Sequence, residues 1–173
     1  MERDITIQFV ALEIILPLRK AVIIAGTNRD TPYFTGDDAP DTLHVGVFAS
    51  DECVGCATLL YSRWESAPAW QLRGMAVAAE RQRAGIGTAL LQFLEAALPN
   101  RKPAIGVWCN AREKAVPFYT SAGFSIVSDR FVIENVGPHF KLFKAFANPG
   151  IAAQPQALKH DANAVARNPA SDE

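Results

Sequence analysis

The chain has 173 residues, with 17 basic against 18 acidic side chains and 49% hydrophobic content. That suits one domain with a real core, and the near-neutral charge leaves no electrostatic footprint for nucleic acid or an anionic membrane. No apolar run approaches the ~20 residues that span a bilayer, and three cysteines, an odd number, argue against a disulfide framework. Met1-Glu2-Arg3-Asp4 lacks the basic and apolar regions of a secretory signal, so the expected setting is the cytosol.

In chain order, Ile5 to Phe9 alternates apolar with polar residues and predicts a strand. Leu12, Ile15, Leu16, Arg19 and Val22-Ile23 keep helical spacing, with Pro17 disturbing the middle. From Gly26 to Asp41, Thr31-Pro32, Gly36-Asp37-Asp38 and Pro40 predict a long loop. Leu43 to Ala49 and Cys53 to Tyr61 read as a hairpin around Ser50-Asp51-Glu52. The Cys53/Cys56 pair has no second pair for zinc and no helix N-terminus for redox chemistry, so core packing is the better account.

Arg63 to Ala69 predicts a loop containing Pro68, and Trp70 to Val77 a strand. Leu90, Leu91, Leu94 and Leu98 mark the buried face of a helix. Ile105 to Cys109 predicts a short buried strand, and Ala111 to Ala122 a helix stopped by Gly123. Pro117 is tolerable near a first turn or marks a kink. Phe124 to Glu134 and His139 to Ala147 predict two strands joined across Asn135-Val136-Gly137-Pro138. The sum is an α/β chain: one domain over 1–147 with a mixed, mostly antiparallel sheet flanked by helices. Residues 148–173, rich in alanine, asparagine and proline, predict a disordered tail.

The most informative stretch is Gln82-Arg83-Ala84-Gly85-Ile86-Gly87, set between a predicted strand and a predicted helix. Glycines at such a junction let backbone N–H groups converge on an anion, aided by the helix dipole. Arg81 and Arg83 stand beside it, free to pair with a phosphate or to remain solvated surface charges. A P-loop requires Gly-Lys-Ser/Thr, which is missing, and a dinucleotide fingerprint requires a third glycine where Leu90 stands. The stretch does match Gln/Arg-x-x-Gly-x-Gly/Ala. Further on, Trp108-Cys109-Asn110-Ala111-Arg112, Ala115, Phe118-Tyr119 and Ala122-Gly123-Phe124 follow in order. On these two signatures the chain resembles the GCN5-related N-acetyltransferases (GNAT) over roughly residues 5 to 146.

The resemblance implies a GNAT-like fold and acetyl-CoA as cosubstrate, with no metal. It places the pantetheine along the backbone of Met75, Ala76 and Val77, where an N–H would face the thioester oxygen. The pyrophosphate would meet the N–H groups of Arg83, Ala84, Gly85, Ile86, Gly87 and Thr88, with Gln82 at the entrance. Asn110 would contact the coenzyme through its side chain, with Arg112 in the same coenzyme site. Asn110 serves equally well as the cap of a helix beginning at Ala111. Tyr119 would protonate the leaving thiolate, as a phenol of pKa about 10 is available to do at neutral pH.

Where some relatives place a catalytic Glu, this chain has Gln71, whose amide cannot accept the proton. The remaining candidate bases by residue type are Glu65, Asp37, Asp38, His44 and His139. A low-pKa amine or a water chain would make a dedicated base unnecessary. Tyr33, Phe34, Trp64 and Trp70 stand in or beside predicted loops, as acceptor contacts or as closure of the core edge. The expected acceptor is a small-molecule amine, with no nucleic acid or membrane partner; a homodimer is plausible by resemblance. The alternatives are transfer to a protein N-terminus or lysine, and a non-catalytic acyl-CoA-binding module.

Overall fold

The computed structural model describes residues 5–147; the tail predicted for 148–173 lies outside them. The elements are β1 (Ile5–Val10), α1 (Leu12–Arg19), β2 (Leu43–Ala49), β3 (Glu52–Trp64), β4 (Ala67–Val77) and α2 (Ile86–Ala97). They continue with β5 (Gly106–Arg112), α3 (Val116–Ser121), β6 (Ser125–Ile126), β7 (Phe131–Ile133) and β8 (Gly137–Ala145). One sheet runs β1-β2-β3-β4-β5-β8-β6, with β7 also paired to β8. Every pairing is antiparallel except β4 with β5. This is the mixed, mostly antiparallel sheet that the pattern predicts.

The core lies between one face of this sheet and α2. Leu90, Leu91, Leu94 and Leu98 are all buried there, against Val45, Val47, Leu59, Leu72 and Leu142. Trp70 is 1% exposed in the same cluster, its ring edge against Tyr61 at 5.0 Å. It is core closure, not a loop aromatic.

The sequence boundaries move in four places. The loop predicted for Arg63 to Ala69 is a tight hairpin tip at Glu65-Ser66, with Glu65 at φ 53°. Pro68 fits inside β4 because its carbonyl, accepting from the Ile105 N–H at 2.9 Å, needs no N–H in return. The helix predicted from Ala111 does not start there. β5 keeps its pairing with β8 out to Arg112 opposite His139, a short 3-10 turn follows, and α3 begins only at Val116. Pro117 then sits in a first turn, where its missing N–H costs nothing. Pro17 does not end α1; the chain winds on from Arg19 as a π-helical turn over Lys20–Ile24. The strand predicted over 124–134 splits into β6 and β7, both laid on β8.

Cys53 is half-buried and Cys56 fully buried, both as free thiols. Burial pushes Cys56 up to about 12, far from thiolate reactivity.

Candidate active site

The site begins where two parallel strands part. β4 and β5 are paired at only two positions, Trp70 with Val107 and Gln71 with Trp108. Beyond them β4 runs on to Val77 and β5 to Arg112 without meeting. β4 also carries a bulge on its other edge: Thr58 pairs with Arg73 and Cys56 with Ala76, so Ala57 faces both Gly74 and Met75. Gly74 supplies the left-handed turn at φ 58° that such a bulge requires. A Cβ there would stand 3.0 Å from Arg19 Nε and 3.1 Å from Phe34. The backbone of Met75, Ala76 and Val77 is thereby turned along the open side of the parted strands.

The glycine loop follows directly. Arg83 and Gly85 both take left-handed conformations, φ 62° and 83°, and a Cβ on Gly85 would meet nothing within 4 Å. The first backbone bond of α2 runs from the Ala89 N–H to the Gly85 carbonyl at 2.9 Å, and no side chain caps the helix. The N–H groups of Ile86, Gly87 and Thr88 are therefore left for a ligand or water. Gln82, Arg83, Ala84, Gly85 and Thr88 are all exposed. Gln82 closes the entrance by donating from Nε2 to the Val77 carbonyl at 3.1 Å.

Tyr119 stands on α3 at the inner end of this opening, 9% exposed. Its hydroxyl donates to Met75 Sδ at 3.6 Å, and Phe118 and Phe124 pack edge-on at 5.1 and 5.4 Å. Burial raises its pKa well above that of an ordinary phenol, so it keeps its proton at neutral pH. Cys109 nearby shows what the same surroundings do to a thiol: burial pushes it up to about 12.

Asn110 is exposed on β5, midway along the strand rather than at a helix cap. Arg112 reaches away from the glycine loop, its Nη2 donating to the Ile23 carbonyl at 3.1 Å. The structure therefore gathers Met75, Ala76, Val77, the 82–88 loop and Tyr119 around one opening. Asn110 lies farther along β5, and Arg112 is tied to the π turn after α1.

On the other face of β4 lies a network built from five distant segments. Arg19 is fully buried; its Nη1 donates to Asp37 Oδ2 at 2.5 Å and to the Pro32 carbonyl at 3.0 Å, and its Nη2 donates to Thr58 Oγ1. Asp37 also accepts from Arg73 Nη2 at 3.1 Å and from the Phe34 N–H at 2.8 Å. His44 completes it. Its Nε2 meets the Asp37 carbonyl at 3.0 Å, so that nitrogen carries the proton and Nδ1 accepts from Thr58 Oγ1 at 2.8 Å. Burial lowers the pKa of His44 and keeps it neutral. The Phe34 ring lies among Arg19, Arg29 and Arg73, at 4.5, 5.0 and 5.8 Å from their guanidinium carbons.

A model of the acetyltransferase (GNAT) domain matches residues 33–139, more than half of the chain. The chain belongs to the GNAT acetyltransferase family. The uncharacterized N-acetyltransferase YjcF of Bacillus subtilis is 28% identical over 102 residues, covering 58% of this chain and 69% of YjcF. Two solved structures share the fold. Escherichia coli ElaA superposes with a TM-score of 0.70 at 23% identity, covering 82% of this chain and 99% of ElaA. An aminoglycoside 6'-N-acetyltransferase complexed with coenzyme A superposes at 0.64 and 16% identity, covering 87% of this chain and 99% of that one.

For this acetyltransferase the candidate bases now separate. Asp37 is fully engaged with two arginines and an N–H, and both nitrogens of His44 are hydrogen-bonded. Glu65 lies exposed at the β3–β4 tip, and Asp38 is exposed on the loop. His139 is different: Nδ1 donates to the Gly137 carbonyl at 2.8 Å, which leaves Nε2 as the lone-pair nitrogen. It sits on β8 opposite Arg112, at the end of β5 where the strands have parted. The sequence reading missed Arg19 and Arg73 as members of the site. The signal for Arg19 was present, an arginine on the apolar stripe of α1, because a guanidinium on a buried face requires a carboxylate partner.

Proposed function

We propose that this chain transfers an acetyl group from acetyl-CoA to the amine of a small molecule, by direct attack within a ternary complex. One observation carries the reading: β4 leaves β5 after two paired residues, beside a helix start whose N–H groups are uncapped. That gap offers an unused strand edge for the amides of a pantetheine arm and a cluster of donors for a pyrophosphate. The coenzyme bound to the aminoglycoside acetyltransferase of the same fold supports the assignment.

In this reading Met75, Ala76 and Val77 hold the arm through their backbone, and one of their N–H groups polarises the thioester carbonyl. The 82–88 loop holds the phosphates. The amine arrives neutral from the Arg73 side of β4, and its nitrogen forms the new C–N bond as the C–S bond breaks. The departing thiolate takes the Tyr119 hydroxyl proton, and the phenolate regains a proton from water as coenzyme A leaves. The proton released by nitrogen leaves to water or to His139 Nε2. Gln71 takes no proton.

A small acceptor fits the rims of this face. Asn28, after the π turn, donates to Asn135 at the β7–β8 tip at 3.5 Å, which brings these two loops together. The test mixes acetyl-CoA with a panel of amines and reads both free-thiol release and the mass of the acetylated amine. Amine-dependent release supports the reading. Coenzyme binding without turnover of any amine or peptide would favour a non-catalytic acyl-CoA sensor.

A further inference from the structure

The network beneath Gly74 does not balance its charge. Arg19 and Arg73 share a single carboxylate, Asp37, whose side chain is 3% exposed. Arg29 adds a third guanidinium against the same Phe34 ring and forms no ion pair among the described residues. The exposed loop carboxylates Asp30 and Asp38 form none either. One of the two paired arginines is locked, since Arg19 is fully buried and bound on Nη1 and Nη2.

Arg73 is placed differently. Its side chain is 19% exposed and only Nη2 is bound, to Asp37; Nε is buried without a partner, as is Nε of Arg19. Nη1 meets no acceptor among the described residues, and it is not buried. Arg73 also lies one residue before the bulge that turns Met75 toward the parted strands. Nη1 is thus the nitrogen of a fixed guanidinium left open to an oxyanion, through a charge-assisted N–H. Burying a second arginine beside Arg19 costs free energy that Asp37 alone does not recover, unless an anion completes the set.

We propose that Arg73, supported by Asp37 and flanked by Arg29 and Phe34, is the acceptor's anion subsite, so that the amine carries a carboxylate or a phosphate. This rests on the acetyltransferase reading and narrows its substrate class. The bound oxyanion would hold the amine at a fixed distance from the bulge, which is a positioning role for Arg73. It takes no part in proton transfer.

The experiment is calorimetric titration of the coenzyme-A-loaded protein with matched amines differing only in the anion. Phenylalanine is set against phenethylamine, and phosphoethanolamine against ethanolamine. At least one anionic member should bind at least about tenfold tighter than its neutral twin, the scale of a charge-assisted contact. Which pair discriminates tells carboxylate from phosphate. Arg73→Gln should erase the preference while leaving acetyl-CoA affinity unchanged. If that variant does not fold, inorganic sulfate should displace the anionic amine from the wild-type protein. Equal binding within both pairs overturns the proposal, as does a preference that survives Arg73→Gln or sulfate. Coenzyme binding is read first and separately. If acetyl-CoA does not bind, the acetyltransferase reading falls, and the same titrations on the free protein still decide the anion subsite.

Discussion

The two sides of β4 are built on opposite principles. Toward α2, the proposed coenzyme side is made of main chain: strand N–H groups at 75–77, two left-handed residues at 83 and 85, and an uncapped helix start. Toward α1, the proposed acceptor side is made of side chains, with Arg19, Asp37, Thr58 and Arg73 drawn from four separate segments. Gly74 is where they meet, since a side chain there would strike Arg19 and Phe34. A backbone site tolerates any side chain that preserves its geometry. A side-chain network fails with its central member.

The largest expected effect comes from breaking that network. Asp37→Ala strands the buried Arg19 and should cost about 3–5 kcal/mol of stability, read by chemical denaturation. A loss under about 1 kcal/mol, the scale of an exposed pair, would mean the ion pair is solvent-screened and not structural.

Next is Tyr119→Phe, which should lower kcat about a hundredfold, the range of one general acid, with acetyl-CoA affinity unchanged. Equal turnover would remove Tyr119 from the chemistry. Gly85→Asp sharpens the backbone side. Asp tolerates left-handed backbone, and the carboxylate enters open space, so the fold should hold while acetyl-CoA affinity falls roughly tenfold through like-charge repulsion. Unchanged affinity would place the pyrophosphate elsewhere.

The smallest effect concerns pH. His44 has its pKa lowered by burial, so the folded protein prefers it neutral and the unfolded chain binds the proton first. The stability it contributes is present above the unfolded value of about 6.5 and is lost as pH falls through the folded value. His44→Gln should flatten that part of the stability-versus-pH curve; superimposable slopes would show that His44 is not neutral in the fold.

This contrast also explains what the sequence could disclose. The glycine loop and the Leu90-Leu91-Leu94-Leu98 stripe are local patterns, and both stand where they were read. Tyr119 was legible for the same reason, as part of a contiguous signature. The Arg19–Asp37–Arg73 cluster joins residues 18 and 36 positions apart, and no short-range rule pairs them. Asp37 therefore read as a turn residue. The helix start at Ala111 was misread because β5 is held to Arg112 by its partner β8, and tertiary pairing overrode a local helix pattern. Arg63 to Ala69 read as a loop because of Pro68, which in the fold pairs with Arg63 inside the β3–β4 hairpin.

The most direct measurement is thermal unfolding of the full chain with and without acetyl-CoA, with dephosphorylated coenzyme and NAD as controls. Ligand at about a hundred times its dissociation constant should add roughly 2.7 kcal/mol of stability. A shift that is large with acetyl-CoA, smaller with the dephosphorylated coenzyme and missing with NAD is the predicted result. No shift at millimolar acetyl-CoA would contradict the assignment of the parted strands and the α2 N-terminus as a coenzyme site.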